Sequence, residues 1–586
     1  MAFLTPRNNT ITTTENIRPS LPASLLSVNK AKICRFNSQS SRITRGVTCN
    51  ASNEEKRASQ DSLGKIDRRN VLLGIGGLYG LNSLSASAAP IAPPDLSKCG
   101  PPDLPPGVEP TNCCPPSAPK IVDFKLPSYS TPLRVRPAAH LVDDEYIAKY
   151  SKAVALMKAL PDDDPRNFMQ QANVHCAYCD GAYDQVGFPD LELQTHFSWT
   201  FFPFHRLYVY FHEKILGSLI GDPTFALPFW NYDTPGGMRM PTMYANTNSP
   251  LYDRFRDALH QPPTMIDLDY NFTDRQIPEE EQININLSIM YRQMVSNGKN
   301  TRLFLGEPYR RGDQPAPGQG SLENIPHSQV HAWTGDRAQP NNEDMANFYS
   351  AARDPIFFAH HGNVDRMWTI WKTLGGKRKD YTDPDWLDTA FLFYDENKQL
   401  VRVRVRDSLD PIKLRYRFQD VEIPWLRTRP TPQAQTTSTS KTKKASTRSL
   451  VGTTQTAFPR ALDAPVTVLV SRPKKKRSKK EKEDEEEVLL IEGIEVDKDK
   501  FAKFDIYVND EDDKKPSAAS TEFAGSFVNI PHRAGNKSSK LKTHFRVSIT
   551  DLLEDLDADD DDEVLVTLVP RQGNVTIARI KIVLAS

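Results

Sequence analysis

The sequence predicts two folded units of different class: a mainly α domain with long loops and a few closing strands, then a C-terminal β-sandwich. Three observations carry this. Apolar residues recur at helical spacing in Glu145–Leu160, Phe204–Ile220 and Asn363–Leu374. The composition then breaks at 427–459, where Thr, Ser, Lys and Gln dominate and large apolar residues nearly vanish. Beyond the break, short apolar–polar alternations recur between charged loops, the pattern of a small sandwich. A length of 586 residues also exceeds one ordinary domain.

The chain opens on targeting signals. Residues 1–53 hold a single acidic residue, Glu15, among many Ser, Thr, Asn and Arg, the make-up of an organelle transit peptide. Arg68-Arg69, an apolar stretch from Val71 and Ala86-Ser87-Ala88 then follow in the order of a cleaved export signal, and the paired arginines suit a twin-arginine route. Two signals in series predict a chloroplast protein sent on to the thylakoid lumen, with 1–88 removed.

Residues 89–120 are rich in Pro and Cys and should form an extended strip tied by disulfides. Helical patterning with long loops fills about 140 to 375. Alternation in Asp385–Asp407, clearest at Val401, Val403 and Val405, and in Leu414–Val421 predicts strands that close the domain near 426. Residues 427–460 read as a linker open to an activating protease. In 461–586, strands are expected at Val466–Ser471, Val488–Val496, Phe504–Val508, Phe545–Ile549, Val564–Val569 and Thr576–Leu584. The basic run Lys474–Lys480 and the acidic runs near Glu483–Glu487 and Asp555–Glu563 read as solvated loops.

Charge and hydropathy narrow the function. Lys and Arg total 74, as do Asp and Glu, which removes the electrostatic case for binding nucleic acid. No apolar run reaches the roughly 18–20 residues of a membrane span, so the product should be soluble or peripheral to the thylakoid membrane. Of seven cysteines, five lie between Cys99 and Cys179, an odd number that leaves one sulfur over.

Chemistry concentrates in the histidines. Seven of the twelve fall in two clusters of the helical domain: His175, His196 and His205, then His327, His331, His360 and His361. His327 and His331 are spaced i, i+4, which on a helix turns both imidazoles to one side about 5–6 Å apart at Cβ. Iron oxygenases mix a carboxylate with two histidines, catalytic zinc sites usually add Glu or Cys, and blue copper needs Cys. Two all-imidazole triads fit a pair of copper ions that cycle between Cu(I) and Cu(II), about 3.5–4 Å apart and able to clamp one O2. His140, His212, His260, His532 and His544 read as ordinary core or surface residues.

These motifs resemble the type-3 copper proteins, and the whole chain resembles a plant polyphenol oxidase precursor. The likeness rests on His175-Cys176-Ala-Tyr-Cys179, on Asp354-Pro-Ile-Phe-Phe-Ala-His-His361-Gly-Asn-Val-Asp365-Arg-Met-Trp368, on Asp385-Trp386-Leu387, on Tyr416-Arg-Phe418 and on Lys503-Phe504-Asp505. It implies a four-helix bundle holding a dicopper site, with His175, His196 and His205 on one ion and His327, His331 and His361 on the other. His360 then stands behind the ligands, and Asp365 orients a ligand imidazole. It implies a Cys179–His196 thioether and disulfides Cys99–Cys114 and Cys113–Cys176. Phe348 is expected as a gate over the second copper, and Glu323 as a carboxylate holding a water and accepting a phenol proton. Ser328 follows the first histidine of the second triad, where good monophenol hydroxylases often have Asn, so hydroxylation is left open.

The implied activity is oxidation of o-diphenols to o-quinones, with each O2 oxidising two diphenols and leaving as two waters. The β domain is expected to shield the copper entrance until cleavage. Other readings of the same scaffold are a specialised hydroxylase of a lignan or aurone pathway, and an O2 carrier.

Overall fold

The computed structural model describes residues 89–432, 452–510, 517–532 and 539–586. The targeting signals read over 1–88, and most of the linker, lie outside the described residues.

Four helices form the scaffold of the first domain: α1 (Asp144–Lys158), α2 (Phe168–Cys179), α3 (Phe201–Leu219) and α6 (Ile356–Thr373). Local chemistry sets their starts. The Asp143 carboxylate caps α1 by accepting from Tyr146 N, with Asp144 and Glu145 in the first turn and Lys158 in the last. Asn167 caps α2 in the same way. Helix α3 begins three residues before the expected Phe204, with Pro203 in its first turn, where a missing N–H is harmless. Both α3 and α6 are buried nearly all round, their polar side chains included, and run through the middle of the domain. Two further helices, α4 (Glu279–Tyr291) and α5 (Ser328–Thr334), lie between them in sequence. The turn before α5, Glu323–His327, breaks helical geometry at Ile325 (φ −140°, ψ 132°).

The expected closing strands are present in shorter form. Strands β3 (Ala390–Tyr394) and β4 (Leu400–Arg404) pair antiparallel, and β1 (Ile121–Asp123) adds to β4 in parallel. The start of the alternating stretch, Pro384–Asp388, is instead a helical turn with Pro at its N-terminus. Strand β2 (Arg134–Arg136) pairs in parallel with β5 (Tyr416–Phe418).

That β2–β5 pair carries a buried ionic network. Arg134 and Arg136 each donate to Glu213 of α3 at 2.8 Å, and Arg136 also reaches Asp365 of α6 at 2.7 Å. Asp365 accepts further from Arg206 at 2.5 Å and from the Tyr416 hydroxyl at 2.6 Å. Asp365 therefore does not orient a ligand imidazole, as the resemblance implied. Two guanidiniums and a phenol take its oxygens, and they tie α3, α6 and both strands together. Breaking such a network by removing one partner costs about 3–5 kcal/mol. Asp365→Ala is expected to lower the unfolding free energy by that amount, measured by urea titration.

The second domain, here the tail, is a two-sheet sandwich. One sheet has the order β9-β8-β11-β6, from β9 (Phe523–Asn529), β8 (Ala502–Val508), β11 (Glu563–Gln572) and β6 (Val466–Ser471). The other is built on β7 (Glu486–Asp497), which pairs β10 (Lys540–Ser548), β12 (Val575–Ile577) and β13 (Arg579–Ala585). Phe527 joins the sheets, 5.4 Å from Phe504 and 5.9 Å from Phe545 between ring centres. The basic run meets the later acidic one, as in Lys475–Asp562 at 2.8 Å. Against expectation, Lys479–Asp484 is a short helix, and Glu486 and Glu487 are buried at the start of β7 and not in a solvated loop. Strand β9 was not anticipated: all seven of its residues are buried, so Phe-Ala-Gly-Ser-Phe-Val-Asn shows no alternation.

Candidate metal centre

Seven buried imidazoles converge in two sets. His175 comes from α2, His196 from the loop before α3, and His205 from α3. His327 caps α5, His331 lies within it, and His360 and His361 come from α6. Ligand-capable nitrogens in each set lie within 4.8 Å of one another. The sets abut, because the rings of His205 and His361 stack 4.2 Å apart and 9° from parallel.

Five of these rings are oriented from behind through Nδ1. His175 donates to Phe348 O at 2.8 Å, His205 to Phe201 O at 2.8 Å, His327 to Glu323 O at 2.9 Å, and His331 to Met345 O at 2.6 Å. His196 Nδ1 lies 3.2 Å from Gln194 Oε1. A proton held on Nδ1 leaves the Nε2 lone pair free, as metal-bound histidines require. Nε2 of His175, His196, His205 and His327 is buried without a partner, and the Nε2 atoms of His331 and His361 face each other at 3.3 Å. Burial holds every ring neutral: His175 is pushed down to about 4 and His331 to about 3, with the others also well below the usual range. Neutral rings with orphaned lone pairs aimed at common points fit a bound cation and little else. Both nitrogens of His360 are also unpartnered, and its ring stacks on His327 at 5.3 Å.

Around the sets, Glu323 is buried, with Oε1 accepting from Phe197 N at 2.5 Å and Oε2 without a partner. Burial pushes this carboxyl well above the usual range. Ser328 Oγ donates back to Glu323 O at 3.1 Å. Phe348 lies over the first set, not the second as expected: its ring stacks on His196 at 4.3 Å and meets His175 edge-on at 5.8 Å. The cause is its own carbonyl, which is bound to His175. Disulfides join Cys99 to Cys114 and Cys113 to Cys176. Cys179 is buried, its Sγ 3.1 Å from the hydroxyl of Thr195, which precedes His196.

Sequence reasoning missed two residues here. Gln194 Oε1 accepts from the backbone N–H groups of Thr195 and His196 at 2.9 and 3.0 Å, besides meeting the His196 ring. Partners of this kind are worth 10–100-fold in metal affinity. Gln194→Ala is expected to weaken copper binding by about that factor, read by chelator competition at fixed pH. The other is His532 of the tail, whose ring stacks on Phe348 at 4.9 Å and 19° and lies 5.6 Å from Phe197. A lone histidine carries no signal of a contact that exists only once two domains dock.

The fold and these two sets define a protein with a candidate all-histidine dinuclear metal centre. The common central domain of tyrosinase matches residues 165–374, the polyphenol oxidase middle domain 380–431, and the chloroplastic polyphenol oxidase C-terminal domain 458–584. A chloroplastic polyphenol oxidase of Malus domestica is 58% identical over 579 residues, spanning 96% of this chain and 97% of its own. Aureusidin synthase of Antirrhinum majus is 59% identical over 521 residues, spanning 86% and 92%. The structure of latent apple tyrosinase, 62% identical, superposes with a TM-score of 0.76 and covers 80% of this chain and 100% of its own. The chain belongs to the plant polyphenol oxidases, enzymes of the copper-dependent tyrosinase family.

Proposed function

We propose that this chain oxidises o-diphenols to o-quinones at a dinuclear copper site held by His175, His196 and His205 and by His327, His331 and His361, and that the tail keeps it latent. The observation that carries this is the convergence of buried, neutral imidazoles with free Nε2 lone pairs. Bound copper supplies the redox couple that passes two electrons from each diphenol to O2. The protein's own groups do the rest. Phe348 offers a ring face for stacking an incoming phenol. Glu323 Oε2, aimed into a water-poor interior without a partner, accepts the phenol proton. Cys179, whose sulfur meets Thr195 next to His196, supports the reading of a thioether that would fix that ring. Ser328, engaged with the Glu323 carbonyl, does not reinforce the carboxylate, which favours diphenol oxidation over monophenol hydroxylation.

The two signals ahead of residue 89 and the chloroplastic relatives support action in the chloroplast, with the thylakoid lumen as the destination. Similarity to aureusidin synthase supports a second reading, a specialised phenol hydroxylase on the same scaffold. The test uses copper-loaded protein cut within 433–451, freed of its tail and given 4-methylcatechol or tyramine. Two coppers per chain and one O2 consumed per two quinones are expected. Faster turnover of tyramine would favour the hydroxylase; two bound coppers without turnover of either phenol would sink the enzymatic assignment.

A further inference from the structure

Among the described residues, the rings other than imidazole that touch the six proposed ligands are all phenylalanines: Phe201, Phe204, Phe348 and Phe357. A plain benzene ring gives up an electron far less readily than a phenol or an indole. This lining therefore confines oxidising equivalents to the metal centre. One direction is built otherwise. His360, both of whose nitrogens lack a partner, stacks on His327 at 5.3 Å and meets His331 edge-on at 4.9 Å. Tyr232 lies 5.7 Å from His360, Trp230 5.9 Å from Tyr232, and Trp333 6.3 Å from Trp230, all between ring centres. Trp333 then stacks on His260 at 4.4 Å and 6°, and His260 meets Tyr270 at 5.3 Å. Every ring of this series is buried.

The series ends at an opening. Trp333, His260 and Tyr270 line a cavity of about 230 Å³ together with Asp267, Asp274 and Arg275, and exposed Leu259 at its rim puts it in reach of solvent. Its size limits an occupant to a single-ring molecule. Partway along, the Trp230 indole N–H donates to Gly237 O at 3.0 Å and Arg239 O at 3.1 Å. The negative ends of two carbonyl dipoles thus face the indole and favour a positive charge on it.

We propose that the cavity at Trp333 is a second oxidation site, at which a small phenol gives one electron at a time to the metal centre through Trp333, Trp230, Tyr232 and His360. The proposal goes beyond the diphenol reading and rests on it for the oxidant. The chemistry balances. Per O2, one diphenol at the metal centre supplies two electrons and two protons, and two phenols at the cavity supply one of each. The O–H bond of each cavity phenol breaks, its proton passes to solvent, and the metal centre takes a proton from solvent in return. Two waters, one o-quinone and two phenoxyl radicals result. The cavity therefore accepts phenols with both ortho positions blocked, which can form no o-quinone.

Copper-loaded full-length chain is first shown to hold two coppers and to oxidise 4-methylcatechol. It is then mixed with hydrogen peroxide, which takes two electrons and two protons at the metal centre to become two waters, and frozen for electron paramagnetic resonance. With no phenol present the chain's own rings are the donors, and an organic radical whose signal narrows on ring deuteration of Trp or Tyr is expected. Trp230→Phe and Tyr232→Phe each remove one link and should lose that signal; the second deletes a single hydroxyl and so keeps the fold. Trp371→Phe, at an equally buried indole packed on Phe304 off the series, should keep it. All three should retain two coppers and wild-type turnover of 4-methylcatechol. In the wild type, 2,6-dimethylphenol should quench the radical and appear as its coupled dimer; in the two link variants no dimer should form. No radical in the wild type, a radical that survives both link variants, or equal coupling in every variant would each overturn the proposal. Failure on 4-methylcatechol with the radical present would instead overturn the diphenol reading and leave the electron path standing.

Discussion

Removing the tail is expected to raise kcat/KM for 4-methylcatechol by about 100-fold, if the docked tail leaves the entrance open roughly 1% of the time. The physical case is the set of groups that must part. His532 stacks on the ring that covers His196, and four catalytic-domain side chains hold β9 and the residues before it. Buried charges cross as well: Lys498 meets Glu192 at 3.2 Å and Lys503 meets Asp269 at 3.0 Å. None of these contacts depends on the linker. A cut within 433–451 should therefore leave the two pieces together and slow, and activity should appear when the tail is separated by size exclusion under dissociating conditions. The measurement compares intact chain, cut but unseparated chain, and purified catalytic piece on one substrate. If the intact chain is already as fast as the separated piece, the contact over Phe348 does not obstruct the site.

Much of this was legible before the structure, for reasons that differ by element. Helices α1, α3 and α6 announced themselves because each packs apolar residues at helical spacing against a continuous core. The histidines announced themselves through rarity and clustering. What stayed hidden depends on contacts across large separations. Asp365 sits four residues after His361, where a helix would present it to that ring, yet Arg136, 229 positions away in sequence, and Arg206 claim it. The resemblance implied Phe348 over the second triad, whereas its carbonyl is bonded to His175 of the first. Strand β9 left no alternation because the sandwich covers one side of it and the catalytic domain the other. Strand β9 and His532 are hidden because they lie where two domains meet, with His532 against the ring that covers His196.

Glu323→Gln is expected to lower kcat by about 100-fold or more, the usual contribution of a positioned proton acceptor, with little change in KM. The glutamine amide keeps the shape of the side chain and can still accept from Phe197 N through its oxygen, so the turn leading to His327 is preserved. It cannot take a proton. In the metal-free protein, burial favours the neutral acid, which could not accept one either. Two cations held by the adjacent triads act in the opposite sense, favouring the carboxylate. Wild-type kcat should therefore rise with pH as Glu323 ionises and then level off, whereas the variant should lack that limb. Monophenols, whose single hydroxyl is a weak acid, should suffer more than catechols. Steady-state rates for tyramine and 4-methylcatechol across a pH series, at matched copper content, separate the alternatives. A variant that keeps the wild-type pH limb would assign the proton transfer to another group. A variant that loses copper in proportion to its activity would instead make Glu323 a support for His327, whose Nδ1 its carbonyl already holds.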